Sequence, residues 1–393
     1  MDYKQLLAKI QRAIESIETL PDERMTVSHL ARTISTNFKE LGISGGRLYE
    51  CRDSGVYELV ERFGSSQGVL GIQVPRDYRP MSMTLENGIV VMNVGDAGVD
   101  PVLEEQLGVQ RFAAIAVGDN EDYIVSFNVA PESSREDLLF SLNLLRYSIN
   151  QRLRAERYQS VLSEAQRIQQ SILPQRTPVY EGFEIYGKSI PAEIVSGDFY
   201  DYIPVSDSIL GLAIADGTGH GLPAALVVRD IYMGLRMGVD RDFKIVRTMQ
   251  KLNSIIHRSR MTTKFVSLFY GELELGGTLI YTNAGHNPPF LLKGNRFELL
   301  QAGGMVLGPT PDATYRRGYV QVEKGDVLCL YTDGIVEAHD AQETEFGLER
   351  LQKLVKTNRE ASASELTNII MKRIAQWGRE GEDDRTLVIV KGV

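Results

Sequence analysis

Acidic side chains are the residues of this 393-residue chain whose spacing points to chemistry. Asp216 ends an apolar run at residues 209–215 and is followed at once by Gly217. Asp333 repeats the design after residues 327–332, with Gly334 behind it. Glycine after the acid leaves the backbone open, so the Gly217 carbonyl is a further candidate oxygen ligand. Asp198 lies in the preceding strand-like run, and a turn centred on Asp207 would set it opposite Asp216. Opposed residues of an antiparallel pair have Cβ atoms about 4.5–5.5 Å apart, where like charges destabilise the sheet. A divalent cation between them turns that liability into a site. Carboxylate, carbonyl and water oxygens suit Mg²⁺ or Mn²⁺. Asp383 and Asp384, just before the last strand-like run, form a third element. Singly, each element has a plainer reading, since Asp-Gly favours turns and paired acids are usually solvated. Their joint order carries the signal.

Composition narrows the alternatives. Fifty-two acidic against 43 basic residues give a net charge of −9, which argues against broad binding to a phosphate backbone. Cys51 and Cys329 are the only cysteines, too few for a disulfide framework or a thiolate cluster. No two of His29, His220, His257, His286 and His339 lie within one helical turn, so a metalloprotease-type pair is absent. Oxygen ligands must therefore do most of any coordination. No apolar run approaches ~18 residues, so no membrane span is expected. The first residues lack the cationic and apolar regions of a signal peptide, and the cytoplasm is the expected compartment.

Several elements must position these acids. Leu7, Ile10, Ile14 and Ile17 mark an amphipathic helix, interrupted at Pro21-Asp22 and followed by helical residues 27–41. Strands are predicted at residues 46–51, 56–62, 89–93, 112–117 and 123–129, the last two joined by a hairpin-like connection over 118–122. Together they suggest a small α+β domain. A long helix is predicted over residues 134–173, with Leu138, Leu142, Leu145 and Ile149 as one stripe. Tyr158, Val161, Ala165, Ile168 and Ile172 form a second stripe, out of phase with the first. Either a phase break in a dimeric coiled coil or two faces packing on different partners would produce this. Beyond Pro174 the chain reads as strands at 183–188, 194–204 and 209–215, helices at 222–237 and 243–259, and a meander at 265–273, 278–283, 289–293 and 296–300. A strand at 327–332, two helices, the second opened by a capping box at Ser362 and Glu365, and a strand at 385–391 follow.

The array SGDFYD, ADGTGHG, NAGHNPP, GGMVLG, YTDGIVEA and DDRTLVIV resembles the metal-dependent serine/threonine protein phosphatases of the 2C type, and most of all their bacterial SpoIIE-like branch. The resemblance covers residues 164–393, with six motifs in the family's order. It implies an α+β fold in which a C-terminal antiparallel β-sandwich is flanked by helices, with two divalent cations, Mn²⁺ or Mg²⁺, at one end. Carried over, Asp216 would bridge both cations, Gly217 and Asp198 would complete one, and Asp333 and Asp383 would hold the other. Asp216 and Asp333 are the catalytic residues it implies. Asp201, Asp384 and His286 are further metal-site or neighbouring candidates. Metal-activated water would then attack phosphorus, consistent with no Ser-His or cysteine nucleophile being evident. Relatives outside the branch carry an arginine for phosphate near the first acidic motif, where the nearest upstream base here is Lys188. The third-metal Asp of some relatives is replaced around residues 283–286.

By element order, residues 1–133 are similar to a GAF-type sensor, joined by residues 134–173 to a phosphatase domain at 174–393. The expected partners are a phosphorylated protein substrate, such as an anti-sigma-factor antagonist, an unidentified sensor ligand or activating partner, and a second copy of the chain; nucleic acid is not expected. The alternative is a signalling adaptor that binds partners without catalysis, which would lack metal ligands. A dinucleotide reading of Gly217 to Gly221, with Asp240 about 20 residues on, fails because hairpins rather than a βαβ unit follow. His220 reads as a helix-entry residue, and residues 303–308 as a mobile flap or an ordinary loop.

Overall fold

Alternating apolar residues and glycine-marked turns build the strands of this chain, and in the computed structural model they form three sheets. The structure describes residues 23–52, 55–119, 121–219, 221–238, 244–259, 265–378 and 381–393. The predicted helix at Leu7–Ile17, Asn120, His220 and Asp240 lie outside the described residues. The chain divides into two units, Met1–Ser160 and Val161–Val393.

In the first unit, helix α1 (Glu23–Asn37) precedes strands β1 (Ile43–Cys51), β2 (Val56–Gly64) and β3 (Gln73–Pro75). Helix α2 (Arg79–Asn87), β4 (Ile89–Asn93), α3 (Pro101–Gln106), β5 (Arg111–Val117) and β6 (Tyr123–Val129) complete a sheet of order β3-β2-β1-β6-β5-β4. Side chains alternate across a strand, so Leu48 joins the cluster under α1 while Tyr49 joins the cluster on the other face. The sequence reading lacks α2 and α3, because neither short segment carries a full helical stripe. Asp100 caps α3 by accepting from the Val102 and Leu103 amides.

Helix α4 (Arg135–Ile172) is one continuous element. Its first stripe, Leu138, Leu142, Leu145, Ile149 and also Leu153, is buried in the first unit's core. On the second stripe Tyr158, Val161 and Ile168 are exposed. The phase break separates a core-facing half from a half with a different environment.

In the second unit, β7 (Phe183–Ile190), β8 (Asp198–Ser206), β9 (Ile209–Gly217), α5 (Leu222–Gly238), α6 (Ile245–Arg258), β10 (Val266–Glu274) and β11 (Thr278–Ala284) follow. The chain continues through β12 (Phe290–Lys293), β13 (Arg296–Leu299), β14 (Gly303–Gly304), β15 (Gly318–Gln321) and β16 (Val327–Tyr331). It ends with α7 (Asp333–Val336), α8 (Leu348–Thr357), α9 (Ala363–Trp377) and β17 (Arg385–Gly392). One sheet runs β14-β11-β10-β9-β8 with β15 on β11, the other β13-β12-β16-β17-β7. Leu212, Ile214 and Phe269 of the first sheet meet Leu328, Leu330, Val388 and Val390 of the second in one core. The outer faces are covered by α5 and α6 on one side and by α8 and α9 on the other. The predicted capping box at Ser362 and Glu365 is formed. Residues 194–197, predicted as strand, precede β8 as a loop, because the amides of Ser196 and Gly197 donate to the side chains of Gln169 and Asp384 instead of to a neighbouring strand. Residues 303–308 are no flap: Gly303 and Gly304 pair in parallel with Asn283 and Ala284, and Leu307 bridges Val266.

Leu142→Ala should lower the stability of the first unit by about 2–5 kcal/mol through lost burial and a residual cavity. Gln159→Ala, at an exposed position of the same helix, should stay within about 0.5 kcal/mol. Denaturant unfolding of the full chain followed by circular dichroism tests both; equal effects would contradict the division of α4.

Candidate metal centre

The hairpin β8–β9 pairs Asp198 with Asp216 directly, the register foreseen from the turn at Asp207. Strand parity places both on one face. Tyr200 and Tyr202 on β8, and Leu210, Leu212 and Ile214 on β9, point into the core between the sheets. Asp198 and Asp216 continue those rows at the strand ends. Ser267, on β10, pairs with Asp216 and extends the row.

The facing sheet supplies the rest. Thr332 and Thr386 continue the inward rows of Leu330 and Val388, and the Thr332 hydroxyl donates to Asp198 Oδ2 at 2.7 Å. The Thr386 amide donates to Thr332 Oγ1 at 3.0 Å, and the Thr332 amide to the Thr386 carbonyl at 3.1 Å. Asp333 opens α7 right after β16, and Asp383 stands just before β17, the neighbour of β16. Gly334 allows their approach: a Cβ there would fall 2.1 Å from the Asp384 carbonyl. Gly197 and Gly217 form a similar contact, with the Gly217 amide donating to the Gly197 carbonyl at 2.9 Å.

Four carboxylates thus come from two sheets to one end of the sandwich. Burial, then the Asp216 charge, pushes Asp198 well above the usual carboxylate range, against the hydroxyls of Thr386 and Thr332. Asp216 is pushed up to about 7 by burial and by the charges of Asp333, Asp383 and Asp384. Burial also raises Asp333, with Glu337 adding to it, and raises Asp383, with Asp333 adding to it. Negative charge that is this crowded is the environment a cation relieves. The donors are all oxygen, which fits a hard divalent ion. Among the described residues no three His, Cys, Asp or Glu side chains are grouped tightly enough to hold a metal ion by themselves.

The other candidates are engaged elsewhere. Asp201 lies an odd number of residues from Asp198 and so faces the opposite side of β8. There it is buried in a two-toothed ion pair with Arg236 of α5, its Oδ2 accepting from Nε and Oδ1 from Nη2 at 3.0 Å each. Asp384 accepts from the Ala192 amide at 2.7 Å and the Gly197 amide at 2.5 Å, so it holds the loop before Asp198. His286 is buried, pushed down to about 4 by that burial and therefore neutral, with Nδ1 2.7 Å from Ser267 Oγ. A Ser-His pair is thus present beside Asp216, where the sequence showed none, because 19 residues separate its members. Strand parity read from Leu330 and Val388 would have found Thr332 and Thr386. Arg236 has no sequence signal that sets it apart from other helix-surface cations.

The family model for Stage II sporulation protein E (SpoIIE) matches residues 206–392, beginning after Asp198. Phosphoserine phosphatase RsbU of Bacillus subtilis is 31% identical over 274 residues, which span 65% of this chain and 80% of that protein. Phosphoserine phosphatase RsbP of the same organism is 26% identical over 150 residues, 36% of this chain and 37% of that protein. Among solved structures, the SiaA-PP2C domain of Pseudomonas aeruginosa covers 60% of this chain and 98% of its own, with TM-score 0.54 and 20% identity. That likeness speaks to the fold. Taken with the match to RsbU over most of its length, the sandwich and its converging carboxylates place the chain: it belongs to the SpoIIE-like branch of the metal-dependent 2C-type serine/threonine protein phosphatases.

Proposed function

We propose that the chain hydrolyses phosphoserine or phosphothreonine on a signalling protein, with two divalent cations, Mn²⁺ or Mg²⁺, held at the end of the sandwich. The observation that carries the ligand assignment is the direct pairing of Asp198 with Asp216 beside Asp333 and Asp383. The Asp216 charge acts on Asp198, and those of Asp333 and Asp383 act on Asp216, so Asp216 would be the ligand that serves both cations. Asp198 and the Gly217 carbonyl would hold one cation, Asp333 and Asp383 the other. Asp201 and Asp384 are left out, since their carboxylates already hold Arg236 and backbone amides, whereas His286, with only Nδ1 engaged by Ser267 and Nε2 buried without a hydrogen-bond partner, stays a neighbour of the site. When bound, such a pair supplies an activated water and positive charge for the phosphoryl oxygens. Water adds to phosphorus, the ester P–O bond breaks, and inorganic phosphate and the free hydroxyl result. A non-catalytic adaptor would lack ligands, whereas all five positions are filled.

Residues 1–133, within the first unit, are a GAF-like sensor in this reading, and residues 134–173 are the linker to the catalytic domain at 174–393. The exposed Tyr158, Val161 and Ile168 support pairing of two linkers in a dimer. A phosphorylated anti-sigma-factor antagonist is the substrate to try first.

Asp216→Asn and Asp333→Asn should each abolish Mn²⁺-dependent phosphate release from a phosphoserine protein while far-ultraviolet circular dichroism stays unchanged. Activity in both variants would refute the mechanism. Thr332→Val should destabilise the metal-free second unit by about 1–3 kcal/mol, because a buried Asp198 oxygen loses its donor. Urea unfolding in the presence of a chelator measures this, and an unchanged midpoint would show that the hydroxyl is dispensable.

A further inference from the structure

Gln169 is the one buried side chain in residues 161–173, on a stretch of α4 where Arg167, Ile168, Gln170 and Ser171 are exposed. A glutamine amide has donors and an acceptor that burial must satisfy, and here both are spent on one residue. Gln169 Nε2 donates to the Ser196 carbonyl, and the Ser196 amide donates to Gln169 Oε1 at 2.8 Å. The side chain pairs with Ser196 much as a neighbouring strand would.

Ser196 stands two residues before Asp198, and its hydroxyl accepts from the Asp198 amide at 3.0 Å. Gly197, between them, is held by Asp384 on its amide and by the Gly217 amide on its carbonyl. The segment 196–198 is therefore clamped by β9, by the loop before β17 and by α4. Two of these clamps belong to the catalytic sandwich. The third belongs to the helix that begins in the first unit. That helix end is seated by Ile172 and Leu173, which pack on the core under α5 and α6, with Leu173 also reaching the core between the sheets.

We infer that Gln169 is a positioning residue for Asp198, so that cation affinity depends on how the last turn of α4 is seated. The inference rests on Asp198 being a metal ligand, as proposed above. Successive helix residues are about 100° apart around the axis, so a modest rotation of α4 withdraws the amide from Ser196. The two backbone groups of Ser196 then lose their partners, and the strand end that carries Asp198 is released from one side. A signal delivered through α4 would in this way act on the metal centre itself.

The test is a calorimetric Mn²⁺ titration of the full chain in four forms: wild type, Gln169→Leu, Gln169→Glu and Asp198→Asn. Partners that orient a metal ligand are typically worth about ten- to a hundredfold in affinity, so Gln169→Leu should weaken Mn²⁺ binding by about that range. Gln169→Glu keeps the acceptor for the Ser196 amide and should fall between Gln169→Leu and wild type. Phosphatase activity at saturating Mn²⁺ should recover in both, which separates positioning from a general loss of structure. Wild-type affinity in folded Gln169→Leu overturns the inference. Should that variant fail to fold by circular dichroism, wild-type affinity in Gln169→Glu overturns it equally. If Asp198→Asn binds Mn²⁺ as wild type does, the metal-centre reading falls, and this inference with it.

Discussion

Two carboxylates forced to face each other across a β-hairpin govern the organisation of the second unit. Asp198 and Asp216 are paired residues of β8 and β9, the first buried and the second half-buried at the mouth of an apolar sandwich. Two unit charges about 5 Å apart repel by roughly 3 kcal/mol at an effective dielectric near 20, and desolvation adds to that cost. Evolution of a sheet for stability alone would avoid such a pair. The chain instead surrounds it with devices that keep it in place: the Thr332 hydroxyl on Asp198, the Ser196 hydroxyl on its amide, and Asp384 anchoring the loop before it. The Thr332 hydroxyl favours the charged carboxylate, and the other two hold the backbone that carries it. A divalent cation supplies the remaining compensation.

The sandwich makes that arrangement possible because each sheet ends its inward rows at the same edge. Leu212 and Ile214 lead to Asp216, Leu330 leads to Thr332, and Val388 leads back to Thr386. Hydrophobic packing between the sheets sets their spacing, and the polar row at the edge inherits it. The glycines beside the acids serve close approach. At Gly334 a side chain would collide with the Asp384 carbonyl, so the turn after β16 and the turn before β17 could not touch. Chemistry at this edge is a consequence of core packing some residues away.

Helix α4 contributes to both units by different means. Its early turns are held by buried leucines in the first unit, and its last turn by Ile172, Leu173 and the single buried amide of Gln169. Between them the helix exposes Tyr158, Val161 and Ile168. Apolar contacts tolerate small displacement, but a pair of hydrogen bonds is directional. The amide of Gln169 is thus the contact of that segment most sensitive to the orientation of the helix.

Much of this was legible in the chain alone. The acids, their glycines and the hairpin register followed from local rules, because alternation by two and a short turn leave few ways to pair β8 with β9. The six motifs and their order carried the family, and the heptad-like stripes divided the long helix. Which acids would be free to hold a cation was a different matter. Asp201 lies three residues from Asp198 and Asp384 is adjacent to Asp383, so composition and spacing treated them as near equals. Only the folded sandwich turned Asp201 toward Arg236 and bound Asp384 to the amides of Ala192 and Gly197. The same holds for Ser267 with His286 and for Gln169 with Ser196, which meet across 19 and 27 residues. Local sequence determines which groups a segment presents and on which face. The partner that occupies each group is decided by distant segments, which only tertiary packing brings into contact.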